Sequence, residues 1–500
     1  MPSPSFVFVM TDTQATNVLG CYGHPEMQTP HIDRLAAEGV TFNHAYTTDP
    51  LCTPARAALF TGFFPHANGA WVNGLPLGQT FTHMGQRFRD HGYRTAYTGK
   101  WHLDGHDYFG TGLCPDGWDD RYWYDGRRHL ETLTPQERSL WRNGLTTPQA
   151  LREHDVKAEW TWAHRVSDRA IDFLAAARRE PDRPFVLAVS YDEPHGPFTC
   201  PPEYAERFVD YRYPLGPAAF DGLEGKPQHQ RDWSAARARE RTGYAVNPMY
   251  FGCNSFVDAE IGRVIDAVDR LAPEETYIVF TSDHGEQLGA HGIYAKGASV
   301  YESNINIPLI VRLPGRAAAG TRLDTLASHI DVLPTMLDLA GLPVPPALEG
   351  ESLGPLLRGG PEDPQRPVFV EFHRYELPAD SWGGFTPMRA IVKGPHKLAI
   401  NLLDTDELYD RSSDPDELQN RIDDPAYAAV RDRLHEELID WQYRSYDPFR
   451  GPAWERRPWR SERTLTWQGG WKGPRRSWDD GYAPTRLNYR TGLPNDPPPG

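Results

Sequence analysis

Phe6-Val7-Phe8-Val9-Met10 runs directly into Thr11-Asp12-Thr13. An uninterrupted short apolar run reads as a strand buried on both faces, as in a parallel sheet. Asp12 then falls at the strand's C-terminal end, the edge where open α/β sheets bind ligands. The same grammar recurs. Tyr93–Tyr97 delivers Lys100 and His102, Pro184–Ser190 delivers His195, and Thr276–Thr281 delivers Asp283 and His284. Ile307–Leu313 is a further strand. Helices are expected between them over Thr29–Gly39, with Pro near its start and Gly at its stop, and over 159–178, 255–271 (ended by Pro273) and 331–340. The alternation predicts an α/β fold: a large mixed, mostly parallel sheet sandwiched by helices. After about residue 360 the pattern changes to short strands (Pro367–Phe372, Met388–Lys393, His396–Asn401) and one helix near 425–444. That predicts a smaller C-terminal α+β subdomain, an antiparallel sheet plus helix. The expected divisions are 1–365, 366–448 and a tail, 449–500. The tail holds five of the 15 Trp, so it is expected to pack on the body or on a partner subunit.

Composition narrows the function. A net charge of −16 argues against nucleic acid, so any anionic ligand must meet a local cluster of cations or a metal. No apolar stretch is long enough to span a membrane. The N-terminal run lacks a basic flank and a small-residue cleavage site, and five irregularly spaced Cys do not suggest a disulfide framework. A cytosolic, reducing setting is expected, with a small or imported substrate.

The second informative stretch is Cys52-Thr53-Pro54-Ala55-Arg56, continuing to Gly62. It places a thiol just before a helix N-terminus, where N–H groups and the helix dipole favour an anion, and an Arg about one turn on. Taken singly, each candidate has an ordinary reading: Cys52 a buried structural cysteine, Asp12 a helix cap, Lys100 a surface charge, His102 a core histidine, His195 and Asp283-His284 turn residues. Their shared place at the C-terminal ends of strands in one sheet is what joins them. Asp12 and Asp283 offer hard oxygen ligands to a divalent cation, with His284 adding nitrogen. Arg56, Lys100, His102, His195 and Lys296 supply cations and proton donors around an anionic ester, sulfate or phosphate. Trp118, Trp123 and Tyr124, in an insertion-like stretch over 104–155, either stack on a sugar ring or pack a small core.

The set resembles the type I, formylglycine-dependent sulfatase family of the alkaline-phosphatase superfamily. The matching pieces, in the family's order over roughly residues 5–420, begin with Phe8-Val9-Met10-Thr11-Asp12, Thr29-Pro30-His31-Ile32-Asp33-Arg34-Leu35-Ala36 and Cys52–Arg56 with Thr61-Gly62. Gly99-Lys100-Trp101-His102-Leu103, Pro194-His195-Gly196-Pro197, Ser282-Asp283-His284-Gly285 and His291–Gly297 with Lys296 follow. Ile307-Pro308-Leu309-Ile310-Val311 and Glu407-Leu408-Tyr409-Asp410 with Asp414-Pro415 close the series. The resemblance implies a sulfuric ester hydrolase acting on an aryl or carbohydrate sulfate. Cys52 would be oxidised to formylglycine by a formylglycine-generating or sulfatase-maturating enzyme. The cation would be Ca2+, or Mn2+ or Mg2+, held by Asp12, Thr13, Asp283, His284 and the side chain at position 52. It also implies that Arg56, Lys100, His195 and Lys296 bind substrate, that Lys100 and His102 hold the aldehyde hydrate, and that His195 and Lys296 attend the leaving group. A homo-oligomer is possible. The chain departs from the family twice: Thr13 stands where many members have a second Asp, and His284 where many have Asn. Similar substitutions occur among choline-sulfatase-like members and among phosphonate monoester hydrolases, which also cleave phosphodiesters, and this makes phosphonate monoester or phosphodiester cleavage the alternative.

Overall fold

The computed structural model describes residues 3–466, apart from 106, 237–240, 273 and 377–384. Up to Arg450 the described residues pack as one unit, and from Gly451 they form a second.

An eight-stranded sheet carries the first unit. Ser5–Thr11 lies at its centre, parallel to Phe185–Ser190 on one side and to Thr276–Ser282 on the other, and Arg94–Gly99 continues the parallel set at the edge. Alternation along the central strand divides the core. Val7 and Val9 face Trp162–Ala177, Pro248–Leu271 and Pro30–Glu38. Phe6, Phe8 and Met10 face Cys52–Thr61, Met84–Asp90 and Val332–Leu339. Side chains of successive strand residues point to opposite faces, so an apolar run with no polar partner positions needs cover on both.

Asn306–Arg312 departs from the parallel set. It runs antiparallel to both its neighbours, Thr276–Ser282 and Val40–Tyr46. The segment between Ser282 and Asn306 holds only short helical turns, Ala290–Gly292 and Glu302–Ile305, so it returns the chain without the long crossover that a parallel neighbour needs. The helix expected at 255–271 begins earlier, at Pro248, with the Asn247 side chain accepting from Tyr250 N. Its first turns are apolar and buried, which extends the packed face. The expected stop at Pro273 lies outside the described residues.

The C-terminal strands form a separate antiparallel sheet in the order Val368–Phe372, Met388–Lys393, His396–Asn401, Glu407–Asp410. Helix Ala428–Arg444 packs on it, with Trp441 stacked on Phe369 at 4.7 Å. Trp118, Trp123 and Tyr124 are buried. Trp123 packs against Tyr97 and Trp101, and Trp118 against Phe60, so these rings fasten the 104–155 stretch to the sheet instead of offering a face to a sugar. In the second unit, Arg463 and Thr466 converge on Glu455 at the end of the short helix Pro452–Glu455. The rest of the Trp-rich tail, 467–500, lies outside the described residues, and with it most of the expected packing surface. All five Cys are free thiols.

Candidate active site

Cys52 opens a ten-residue helix, Cys52–Thr61, one residue further inside it than expected; Leu51 is its extended N-cap. All ten residues are buried. Arg56 follows Cys52 by four positions, so both lie on one helix face. Across from them the parallel strands end. Asp12 follows Ser5–Thr11 and Asp283 follows Thr276–Ser282, and their in-register pairing puts the two carboxylates side by side. Arg94–Gly99 ends with Gly99 at φ 108°, where a Cβ would stand 1.8 Å from Ser190 O. Only glycine permits that approach, and it turns Lys100 inward, its own N–H bonded to the same carbonyl at 2.9 Å.

Arg56 locks the two aspartates. Its Nη2 reaches Asp12 Oδ2 at 3.1 Å and its Nε reaches Asp283 Oδ2 at 3.0 Å, while Nη1 donates to Lys100 O and Ser190 Oγ, each at 2.8 Å. That occupies Oδ2 of both carboxylates. Oδ1 of each is turned toward the other donors: His284 Nε2 is 3.5 Å from Asp283 Oδ1, 3.8 Å from Asp12 Oδ1 and 3.3 Å from Cys52 Sγ. One ligand atom from each of Asp12, Cys52, Asp283 and His284 lies within 4.8 Å of the others. Ligands at about 2.0–2.6 Å from a shared ion stand at most about 5 Å apart, so this buried set could hold a metal ion. Thr13 donates its hydroxyl to Asp12 Oδ1 at 2.6 Å and its N–H to Asp283 Oδ1 at 3.1 Å. It orients both carboxylates from a backbone at φ 63°.

The cations close around the sulfur. Lys296 Nζ is 2.9 Å from Cys52 Sγ, and Lys100 Nζ is 4.0 Å from it and 2.6 Å from Asp12 Oδ2. Burial alone would raise the Asp12 carboxyl, but Lys100, Lys296, His195 and Arg56 hold it well below the usual carboxylate range. Burial and Asp12 push the Cys52 thiol up, yet Lys100, Lys296 and His284 outweigh them and bring it down to about 6. A group at position 52 therefore sits where negative charge is favoured. Burial, then Lys100 and Arg56, push His102 down to about 3, and burial with Lys296 and Lys100 holds His195 well below its ordinary value. Both histidines are neutral at rest. His195 Nδ1 lies 2.7 Å from Gly196 O, which fixes the proton on that nitrogen.

A cavity of about 220 Å3 opens onto this cluster, lined by Cys52, His102, Tyr108, His195 and Lys296 together with Asn73, Gly74, Tyr375 and Glu376. The structure thus brings together Asp12, Thr13, Cys52, Arg56, Lys100, His102, His195, Asp283, His284 and Lys296. Sequence reasoning missed the groups that hold them. Tyr108 OH receives Lys100 Nζ at 2.8 Å, meets His195 Nδ1 at 2.8 Å and donates to Asp192. Asp192 also pairs with Lys100 at 3.0 Å. Asp192 carried a usable signal, because it follows a strand end just as Asp12 does. Tyr108 carried none, and neither did Tyr375 or Glu376, which come from the C-terminal region.

Comparison with known proteins agrees with this geometry. Residues 4–342 match the protein family described as Sulfatase, and residues 289–444 match the one described as N-sulphoglucosamine sulphohydrolase, C-terminal. Over 496 residues the chain is 49% identical to a protein of Escherichia coli (strain K12) described as uncharacterized sulfatase YidJ, across 99% of this chain and 97% of that one. Over 525 residues it is 28% identical to the N-acetylglucosamine-6-O-sulfatase of Bacteroides thetaiotaomicron, across 89% and 88%. The structure of BT4656 in complex with its substrate D-glucosamine-2-N,6-O-disulfate matches with a TM-score of 0.72 at 25% identity, over 89% of this chain and 99% of that one.

Proposed function

This chain belongs to the sulfatase family, and from that premise we propose that it hydrolyses a sulfate monoester, of an aryl or carbohydrate alcohol, at position 52. The observation that carries the reading is the surround of Cys52: a buried Asp12–Asp283–His284 set on one side and Lys296 at 2.9 Å on the other. Formylglycine formed from Cys52 by a maturating enzyme, and a divalent cation, calcium foremost, supply a hydrated aldehyde nucleophile and a Lewis acid for the sulfate oxygens.

The protein's own residues do the rest. Asp12, Asp283 and His284 would hold the cation, with Thr13 and Arg56 fixing the two carboxylates. Against burial, Lys100, Lys296, His195 and Arg56 favour the ionised form of Asp12, whereas burial and Asp12 push the Asp283 carboxyl up to about 6 against His284 and Arg56. Lys100 and His102 stand where hydroxyls at position 52 need a charge and an acceptor; His102 Nδ1 is buried with no hydrogen-bond partner in the resting protein. Lys296 and His195 line the cavity where the departing oxygen would emerge, and each favours negative charge or supplies a proton path there. Burial, then Lys296 and Lys100, disfavour the charged form of His195, and an incoming sulfate would offset the part due to the lysines.

The test is sulfate release from a panel of aryl sulfate, sugar sulfates, a phosphonate monoester and a phosphodiester, with Cys52 conversion followed by mass. Activity on sulfate esters should track the fraction of position 52 that is lighter than cysteine by about 18 Da, and should resist iodoacetamide. Cys52→Ala should lose at least about 10³-fold in kcat/KM. Full activity from protein carrying only the thiol would overturn the mechanism. Turnover of the phosphonate monoester with none of the sulfates would replace the substrate class.

A further inference from the structure

The cavity over position 52 has one feature that sulfate hydrolysis does not use. Glu376 is the one acidic side chain among its described lining residues. The nearby carboxylates are all engaged: Asp12 and Asp283 by Arg56, Asp192 by Lys100 and Tyr108. The Glu376 carboxylate makes no hydrogen bond and no ion pair among the described residues, although the residue is only partly exposed. Its backbone is nevertheless fixed. It bridges Asn73, and Asn73 Oδ1 receives Thr53 N at 3.0 Å, one residue from Cys52. The backbone that carries the carboxylate is therefore tied to the segment next to the reacting position.

Its electrical setting is unusual for an anion-binding cavity. Burial and the Cys52 sulfur push the Glu376 carboxyl up in pKa, while Lys296 draws it down, so it feels the charges at position 52 directly. A carboxylate there without a partner among the described residues repels an incoming sulfate, and in a partly dehydrated cavity that repulsion is less well screened than in open water. A substrate whose far end is cationic turns the same charge into an attraction. Tyr375 beside it adds an aromatic surface of the kind cations favour. The volume, about 220 Å3, suits a compact molecule.

On the reading that position 52 cleaves sulfate esters, we propose that the substrate is a small zwitterion, an amino-alcohol or amino-sugar sulfate with a free ammonium group, and that Glu376 binds the ammonium. Lys296, with Lys100 behind it, would meet the sulfate, and Glu376, which lines the same cavity as Lys296, would meet the opposite charge. A neutral hydroxyl in place of the ammonium leaves Glu376 without its charge-assisted partner.

The test uses matched pairs of esters that differ only in an ammonium for a hydroxyl: 2-aminoethyl and 2-hydroxyethyl sulfate, and 4-(aminomethyl)phenyl and 4-(hydroxymethyl)phenyl sulfate. In the mature wild-type enzyme the ammonium member of each pair should have a kcat/KM at least about tenfold higher, mainly through KM. Glu376→Gln should bring the two members within about twofold, and Glu376→Lys should invert the order. Thermal unfolding of each variant checks that the fold is kept. Equal kcat/KM within the pairs, or a preference that survives Glu376→Gln, overturns the proposal. If none of the four esters is hydrolysed, the sulfatase reading fails separately. Calorimetric binding of the same pairs to Cys52→Ala protein still decides the point: tighter binding of the ammonium members supports the proposal, and equal Kd values overturn it.

Discussion

Tyr108 OH and His195 Nδ1 meet at 2.8 Å, and the same hydroxyl receives Lys100 Nζ at 2.8 Å. One phenol thus joins and spaces Lys100 and His195 beside the cavity. Because it donates to Asp192, it accepts from both Lys100 and His195, and the proton on His195 is kept at Nδ1. Tyr108→Phe keeps the ring and removes only this junction. We expect kcat on a sulfate ester to fall by about 10- to 100-fold with a smaller change in KM, because the groups remain but are no longer held in place. The acid limb of the pH–rate profile should also move, since His195 loses a partner. An unchanged profile and an unchanged kcat would show that Lys100 and His195 are positioned without it.

The metal set gives a second prediction. Arg56 takes Oδ2 of both Asp12 and Asp283 and leaves Oδ1 of each toward His284. Asp283→Asn removes one of only two carboxylates in the set. Mature wild-type protein should contain close to one divalent ion per chain by elemental analysis, and Asp283→Asn less than about a tenth of that after dialysis, because metal affinity rests on ligand charge. Exhaustive chelation should abolish wild-type activity, and calcium should restore it. A variant that retains a full ion would place the metal elsewhere.

These residues differ in how legible they were. Asp12, Lys100 and Asp283 could be read from sequence because each follows an apolar run at once, and parallel strands bring such positions to one edge. The direction of Asn306–Arg312 could not, because an apolar strand reads alike in either orientation and only the connection decides it. Tyr108 lies in a stretch without periodicity, and its place depends on how Trp118 and Trp123 seat that stretch on the sheet. Tyr375 and Glu376 reach the cavity from beyond residue 360, a long-range approach that no local pattern encodes.

Gly99 gives a third prediction. With φ at 108° and a Cβ that would fall 1.8 Å from Ser190 O, Gly99→Ala must shift the strand end or the turn. A left-handed conformation and a backbone clash together should cost about 2 kcal/mol or more in stability. Because Lys100 follows directly, kcat should fall by more than the loss of folded protein explains. Denaturant unfolding and active-site titration on the same sample separate the two effects. A variant with unchanged unfolding would mean that the edge strand relaxes freely.

The last prediction concerns acid stability, far from the cavity. Asp447 is buried and receives Arg389 through two bonds, Nε to Oδ2 at 2.7 Å and Nη2 to Oδ1 at 3.0 Å, with further donors in Gln442 Nε2 and Phe449 N. Burial would raise its pKa, but Arg389 and these bonds bring it below the ordinary aspartate value. A depressed folded-state pKa means that the unfolded chain takes up protons first as pH falls. The stabilisation is fully present above the unfolded value, near 4, and is lost as pH drops from there through the folded value. Asp447→Asn removes the charge that two Arg389 nitrogens meet, with the Glu371 carboxylate 3.7 Å away still beside the guanidinium. At pH 7 the variant should lose about 3 kcal/mol, in line with breaking one side of a buried ion pair. Below pH 4 its deficit relative to wild type should narrow, because the wild-type carboxyl is then protonated too. Urea midpoints measured between pH 3 and 7 provide the check, and a deficit that stays constant across that range would assign the stabilisation to packing and hydrogen bonding instead of to charge.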